Sequence, residues 1–312
     1  MEYANIRGLN ISKLTLGTVQ LGMDYGIANI KGKPDRNESF RILKTAVDGG
    51  VNSFDTSLLY GDSEVVLGDF FSSELSSLEN PVLTTKFKVT PGDNLTQRDI
   101  EEQIYGFVEE SMKRLKIKRI PLYMLHNPAD MTLYGDIVPN TLKKLKDEGL
   151  IGMAAVSVYT PEEVSEMLKN DIYEAIQIPM NIIDNRLIKS GLLRRLHEKN
   201  RIVFVRSVFL QGLFFMDPDS LTGNLTDARD ILIQLTDLAD KEGLSIQQLA
   251  LSYIRDLEGV TSLVIGAESS DQVEENIRLM KGPSISEKTR DEIIRLFDGV
   301  PVHILNPGLW QR

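Results

Sequence analysis

Four side chains of the types that move protons stand where apolar runs give way to polar sequence. Asp55 follows the run 51–54, Lys86 follows 82–85, His126 follows 122–125, and Tyr60 lies five residues beyond Asp55. A carboxylate, an ammonium, an imidazole and a phenol are the groups of general acid–base catalysis. Ser157, Gln177 and the pair Arg206-Ser207 stand at or near the ends of three later runs. Taken singly, an Asp in such a place is commonly a cap or turn residue, a Tyr packs, a Lys is solvated and a His is a satisfied half-buried group. Their recurrence at successive run ends argues for one shared rim. Other chemistries are poorly served. The chain has no Cys, which excludes disulfides and thiolate metal sites. It has three His, none at ligand spacing, against a metal hydrolase. A glycosidase needs two acids at strand ends, and only Asp55 stands convincingly at one. His197, in a charged helical stretch, and His303 read as structural.

The elements that must carry these groups are legible as an alternation. Short runs rich in Val, Ile and Leu occur at 14–16, 51–54, 82–85, 122–125, 153–156, 175–178, 202–205 and 263–265. That is the composition of strands covered on both faces. Amphipathic stretches lie between them. The stretch 37–48 starts with Asn37 as its N-cap and ends at Gly49-Gly50. The stretch 96–115 carries Ile100, Ile104, Val108, Met112 and Leu115 at helical spacing, and Pro161-Glu162-Glu163 reads as a helix start. Further helices are expected over 139–148, 187–199, 226–242, 246–256 and 271–280. Eight strands alternating with helices predict a (β/α)8 TIM barrel, one domain over residues 1–312, with an N-terminal β-hairpin within 3–16 closing its bottom. In such barrels the reactive side chains sit at the carboxyl ends of the strands. A doubly wound open sheet usually shows a G-x-G-x-x-G fingerprint, and none occurs. The stretch 26–33 is one residue too long for a P-loop, with Pro34 where Ser or Thr belongs.

Composition sets the surroundings. Hydrophobic residues make up 42% and charged residues 26%, ordinary for a soluble globular chain. The net charge of −10 would repel a phosphate backbone, so nucleic-acid binding is not expected. No run approaches the roughly 18 apolar residues of a membrane span, and the first residues lack a signal-peptide core. The expected location is cytoplasmic.

The stretch Asp55-Thr56-Ser57-Leu58-Leu59-Tyr60-Gly61-Asp62-Ser63-Glu64, followed by Leu67-Gly68, resembles the D-T-A-x-x-Y-G-x-S-E-x-x-L-G signature of aldo-keto reductases. Leu16-Gly17-Thr18, Thr84-Thr85-Lys86, Leu125-His126, Gly266-Ala267 and Glu274-Glu275-Asn276-Ile277 are similar to further landmarks of the family, in the expected order. The resemblance implies an NAD(P)H-dependent oxidoreductase that reduces an aldehyde or ketone by hydride transfer. Tyr60 would be the general acid. Lys86 would lower its pKa from the free value of about 10. Asp55 would pair with Lys86, and His126 would orient the substrate oxygen. A nicotinamide-binding regulatory protein with little turnover is the alternative on the same fold.

The same resemblance implies the cofactor contacts. Gly17, Thr18 and Asp55 belong to the first two strand ends, and Ser157 and Gln177 match positions that hold the nicotinamide carboxamide. Arg206 stands where a Tyr or Trp commonly stacks on the nicotinamide, a role open to a planar guanidinium. Ser207, Phe209, Gln211 and Gly212 would cover the pyrophosphate, and Gly266, Ala267, Glu268, Ser269, Gln272, Glu275 and Asn276 would surround the adenosine. NADP(H) is the family default. Glu268 and Asp271 oppose a 2′-phosphate, which leaves NAD(H) open. Asp24-Tyr25-Gly26, Asn127-Pro128 and the tail from Asn306 to Trp310 would shape the substrate pocket, with Trp310 either covering it or packing on the barrel side. The first-strand stretch with Asp24-Tyr25-Gly26 resembles a bacterial branch linked to surface sugars, which implies a sugar-like small-molecule carbonyl partner.

Overall fold

A computed structural model describes residues 1–25 and 32–311. Gly26 of the expected substrate loop and most of the 26–33 stretch lie outside the described residues. Strands β1 (Tyr3–Ile6) and β2 (Leu9–Ser12) form an antiparallel hairpin. The next eight are β3 (Leu14–Gly17), β4 (Ser53–Asp55), β5 (Val82–Phe87), β6 (Ile120–Leu125), β7 (Ile151–Ser157), β8 (Tyr173–Pro179), β9 (Ile202–Arg206) and β10 (Ser262–Gly266). They run parallel in chain order and close into a barrel, with Gly266 of β10 opposite Gly17 of β3. Each expected apolar run is one of these strands. Asp55, expected just after its run, is the last residue of β4, paired with Gly17 and Thr84.

Alternation along the strands divides the core in two. Phe54, Leu83, Tyr123, Val156, Ile176 and Val203 face the helices. Val82, Leu122, Met124, Ala155, Ala175, Ile202 and Phe204 form a separate cluster that Ile11 of β2 completes. Ile6 and Leu9 pack against the same cluster, so the hairpin stoppers one end of the barrel, as expected. The bonds of a parallel ladder leave no backbone donor spare inside, and the interior can therefore be apolar.

Helix ends differ from the sequence expectation in informative ways. The first long helix, Arg36–Asp48, is capped by Asp35, whose carboxylate accepts from the Glu38 N–H at 2.8 Å; Asn37 falls in the first turn instead. Its left-handed exit is at Gly50 (φ 87°), one residue after an αR Gly49. The expected 187–199 helix is broken by a left-handed Gly191 into Arg186–Lys189 and Leu192–Glu198. Helix Gln97–Leu115 starts with a Thr96–Asp99 capping box. Among the described residues, no helix is long and apolar enough to cross a membrane.

Candidate active site

The carboxyl ends of β4, β5 and β6 bring Asp55, Lys86 and His126 to the open end of the barrel, and the turn after β4 returns Tyr60 to them. Lys86 is fully buried. Its ammonium donates to Asp55 Oδ2 at 2.7 Å, to the Thr56 carbonyl at 2.9 Å and to the Tyr60 hydroxyl at 3.4 Å. The other Asp55 oxygen accepts from the Gln177 amide at 2.8 Å. The four groups form a continuous chain from β8 to the phenol. His126 sets its ring edge-on to Tyr60, with centroids 5.9 Å apart and planes at 84°.

Charge follows from this geometry. Burial opposes the Lys86 ammonium, but Asp55 and Tyr60 outweigh it and hold its pKa above the ordinary lysine value. Lys86 is therefore a fixed cation. Burial pushes the Tyr60 phenol above its ordinary value; Lys86 works against that rise while Asp55 and Tyr25 add to it. The phenol thus keeps its proton until something is placed against it. The expectation that Lys86 leaves Tyr60 below a free phenol is corrected: the ammonium offsets only part of the desolvation. Burial, with Lys86, Arg206 and Lys88 nearby, pushes His126 down to about 3, so its imidazole is neutral at any ordinary pH. His126 Nδ1 is buried with no hydrogen-bond partner among the described residues.

A cavity of about 740 Å³ opens beside this group. Asp55, Tyr60 and Gln177 line its inner part together with Gly17, Thr18 and Tyr25. Arg206, Ser207, Phe209, Gln211 and Gly212 line the wall after β9, and Gly266, Glu268, Gln272, Glu275 and Asn276 the part after β10. The β9 exit is held in left-handed backbone at Ser207 (φ 63°), Leu210 (φ 46°), Gln211 (φ 53°) and Gly212 (φ 93°). Such a run turns backbone groups toward a ligand at a cost of order 1–3 kcal/mol for each non-Gly residue. At Gly266 a Cβ would come within 2.5 Å of the Gln20 amide, the movable end of a flexible side chain.

Some expected residues are absent from the cavity lining or spend their side chains on other contacts. Lys86 and His126 are not among its lining residues, and both lie against Tyr60. Ser157 is buried at the end of β7, paired with Gln177. Ala267 is buried, and the Ser269 side chain is spent capping helix Ser270–Met280. The Thr18 hydroxyl is tied to the Asp55 carbonyl (2.9 Å) and to Ser63 (2.7 Å), which makes it a latch between β3 and the Tyr60 turn. Asn127 bonds Asp130 and shapes its own turn. The Trp310 indole donates to the Ile304 carbonyl at 3.1 Å and packs on the core, while Asn306, Pro307 and Gly308 line the cavity.

The Aldo/keto reductase family model matches residues 13–296. The chain belongs to this family. Similar proteins include the uncharacterized oxidoreductase Mb2320 of Mycobacterium bovis, 28% identical over 299 residues, covering 89% of this chain and 87% of that one. The NADH-specific methylglyoxal reductase of Escherichia coli K12 is 26% identical over 298 residues, covering 86% and 90%. Among solved structures, the holo form of aldo-keto reductase AKR11C1 from Bacillus halodurans superposes with a TM-score of 0.75 at 23% identity, covering 95% of this chain and 96% of its own, a likeness of fold.

Within this aldo-keto reductase, the placement of Tyr60 depends on a contact that spacing does not reveal. A Cβ on Gly22 would lie 1.7 Å from the Tyr60 carbonyl oxygen and 2.7 Å from the Ser63 N–H. Gly61, at φ 53°, would put a Cβ 2.2 Å from the Gly22 carbonyl. Two backbones touch here, and only glycines permit it. Gly22→Ala is expected to unfold or displace the Tyr60 turn. The check is thermal melting together with carbonyl turnover; a variant unchanged in both would show that the turn is not fixed this way. Gln20, Tyr159 and Arg186 also line the cavity without having been singled out. Their only sequence signal is position near strand ends.

Proposed function

We propose that the chain is an NAD(P)H-dependent reductase of a small aldehyde or ketone, sugar-like in its polarity, with Tyr60 as the general acid. One observation carries the reading: the Tyr60 phenol lines the cavity 3.4 Å from a buried ammonium that is itself paired with Asp55. The bound nicotinamide supplies the hydride. Lys86 holds positive charge beside the Tyr60 oxygen as its proton passes to the substrate oxygen, which stabilises the phenolate left behind. Neutral His126, edge-on to Tyr60, would orient the substrate oxygen and would not compete as a proton donor. Gln177 fixes Asp55, and Asp55 fixes Lys86.

The volume of the groove and its left-handed wall after β9 support a dinucleotide. NADP(H) is the family default. A second reading, NAD(H), is favoured by the acids Glu268 and Glu275 at the β10 end, where Glu275 engages Arg278 at 2.5 Å. A relative named as NADH-specific acts on methylglyoxal, which makes a 2-oxoaldehyde a sensible first substrate. The test titrates the protein with NADPH and NADH, then follows dihydronicotinamide absorbance with methylglyoxal, glyceraldehyde and simple aldehydes. Binding with turnover is expected. Binding without turnover across the panel would favour a regulatory role, and no binding would end the cofactor reading.

A further inference from the structure

Among the described residues, the cavity wall carries one cation that no carboxylate neutralises. Among the described residues only Arg186 and Arg206 bring positive charge to that wall. Arg186 is gripped by the buried Asp184 through two bonds of 2.8 and 2.7 Å. Arg206 has no carboxylate partner among the described residues. It donates to the Val158 carbonyl at 3.1 Å, approaches Ser207 Oγ at 3.5 Å, and lies over the Tyr159 ring at 4.5 Å from the centroid. A carbonyl, a hydroxyl and a ring face position a guanidinium but leave its full charge in place.

Its location makes that charge consequential. Arg206 ends β9 opposite Pro179 of β8, two residues beyond the register that sets Gln177 beside Phe204. Its side chain bonds toward the β7 exit, over the strand that carries Gln177, and away from the β10 end of the groove. Tyr60, Gln177 and Arg206 line the same cavity, and on the nicotinamide reading Gln177 and Arg206 would hold the ring that faces the Tyr60 hydroxyl. The oxidised nicotinamide ring is a cation and the reduced ring is neutral. A half-buried guanidinium and a cationic ring held on the same wall would repel one another.

We propose that Arg206 is a specificity residue for the redox state of the cofactor, holding the reduced dinucleotide and expelling the oxidised one. The inference rests on the nicotinamide reading above. It makes the site a reductase by occupancy: the oxidised product leaves and does not compete for the groove. An aromatic residue at the same place would stack on either form and discriminate little.

The experiment measures dissociation constants of all four forms (NADH, NAD+, NADPH, NADP+) by calorimetry, for the wild-type protein and for Arg206→Gln, Arg206→Met and Arg206→Lys. The wild type is expected to bind the oxidised form about tenfold or more weakly than the reduced form of the same dinucleotide. Arg206→Gln and Arg206→Met should bring that ratio toward one, chiefly by tightening the oxidised form, and Arg206→Lys should keep it. A wild-type ratio near one overturns the proposal whether or not the variants fold. So does a ratio that survives in folded Gln and Met variants. Failure of every form to bind overturns the cofactor reading and this inference with it, and is distinct from binding without discrimination.

Discussion

Tyr60→Phe is expected to lose carbonyl turnover by about 10²–10⁴-fold, the usual contribution of a positioned general acid. The phenylalanine keeps the ring, and with it the edge-on contact to His126 and the approach of the Lys86 ammonium, 4.8 Å from the ring centroid. Only the hydroxyl goes. Its hydrogen bond to Lys86 is long, at 3.4 Å, and Lys86 retains Asp55 and the Thr56 carbonyl, so stability should change little. Cofactor affinity should hold as well, since most residues lining the groove follow β8, β9 and β10. The measurement is steady-state kcat beside a dissociation constant for the dinucleotide. Turnover equal to wild type would remove Tyr60 from the chemistry; a parallel loss of cofactor binding would make its role one of shape.

Lys86→Met is expected to do more, because it damages the fold and the chemistry together. Lys86 and Asp55 are both buried, and the pair is closed at 2.7 Å. Removing one member of such a pair leaves an uncompensated charge and typically destabilises by about 3–5 kcal/mol. Gln177 still donates to Asp55 and softens the loss. Denaturant melts should show the drop, and Asp55→Asn added to Lys86→Met should recover much of it by removing the stranded carboxylate. Activity should recover in neither, because the ammonium that steadies the phenolate is absent from both. A double variant as unstable as the single would mean that packing, and not charge, makes Lys86 indispensable to the fold.

The barrel was readable because its strands bury both faces. Runs such as 175–178 and 202–205 had to be continuously apolar, and their spacing left room only for helices between. The site was readable for a related reason: barrel strands end on charged or polar residues at the rim, so Asp55, Lys86 and His126 announced themselves by interrupting apolar sequence. Contacts made by folding were not readable. Nothing near Gly22 indicates that the Tyr60 carbonyl will rest on it. Tyr159 and Arg206 are far apart in the chain and meet only because β7 and β9 flank β8. Thr18 and Ser269, expected at the cofactor, also use their hydroxyls to hold a turn and to cap a helix. A short polar side chain beside a glycine serves ligand or backbone equally well, and sequence does not distinguish them. The sign of the Tyr60 shift also lay beyond spacing, since it depends on how much water the closed rim excludes.

The Ile11 stopper gives the two ends of the cylinder different sensitivities. Beneath, alterations around Ile11, Ile6 and Leu9 are expected to act on melting temperature and to leave the reacting groups where they are. Above, alterations at the strand exits act on rate and ligand choice while the plug goes on carrying the core. Robustness and reactivity are therefore separately adjustable in this chain: a laboratory wishing to harden the protein would work from the hairpin upward, and one wishing to redirect its substrate would leave the hairpin alone.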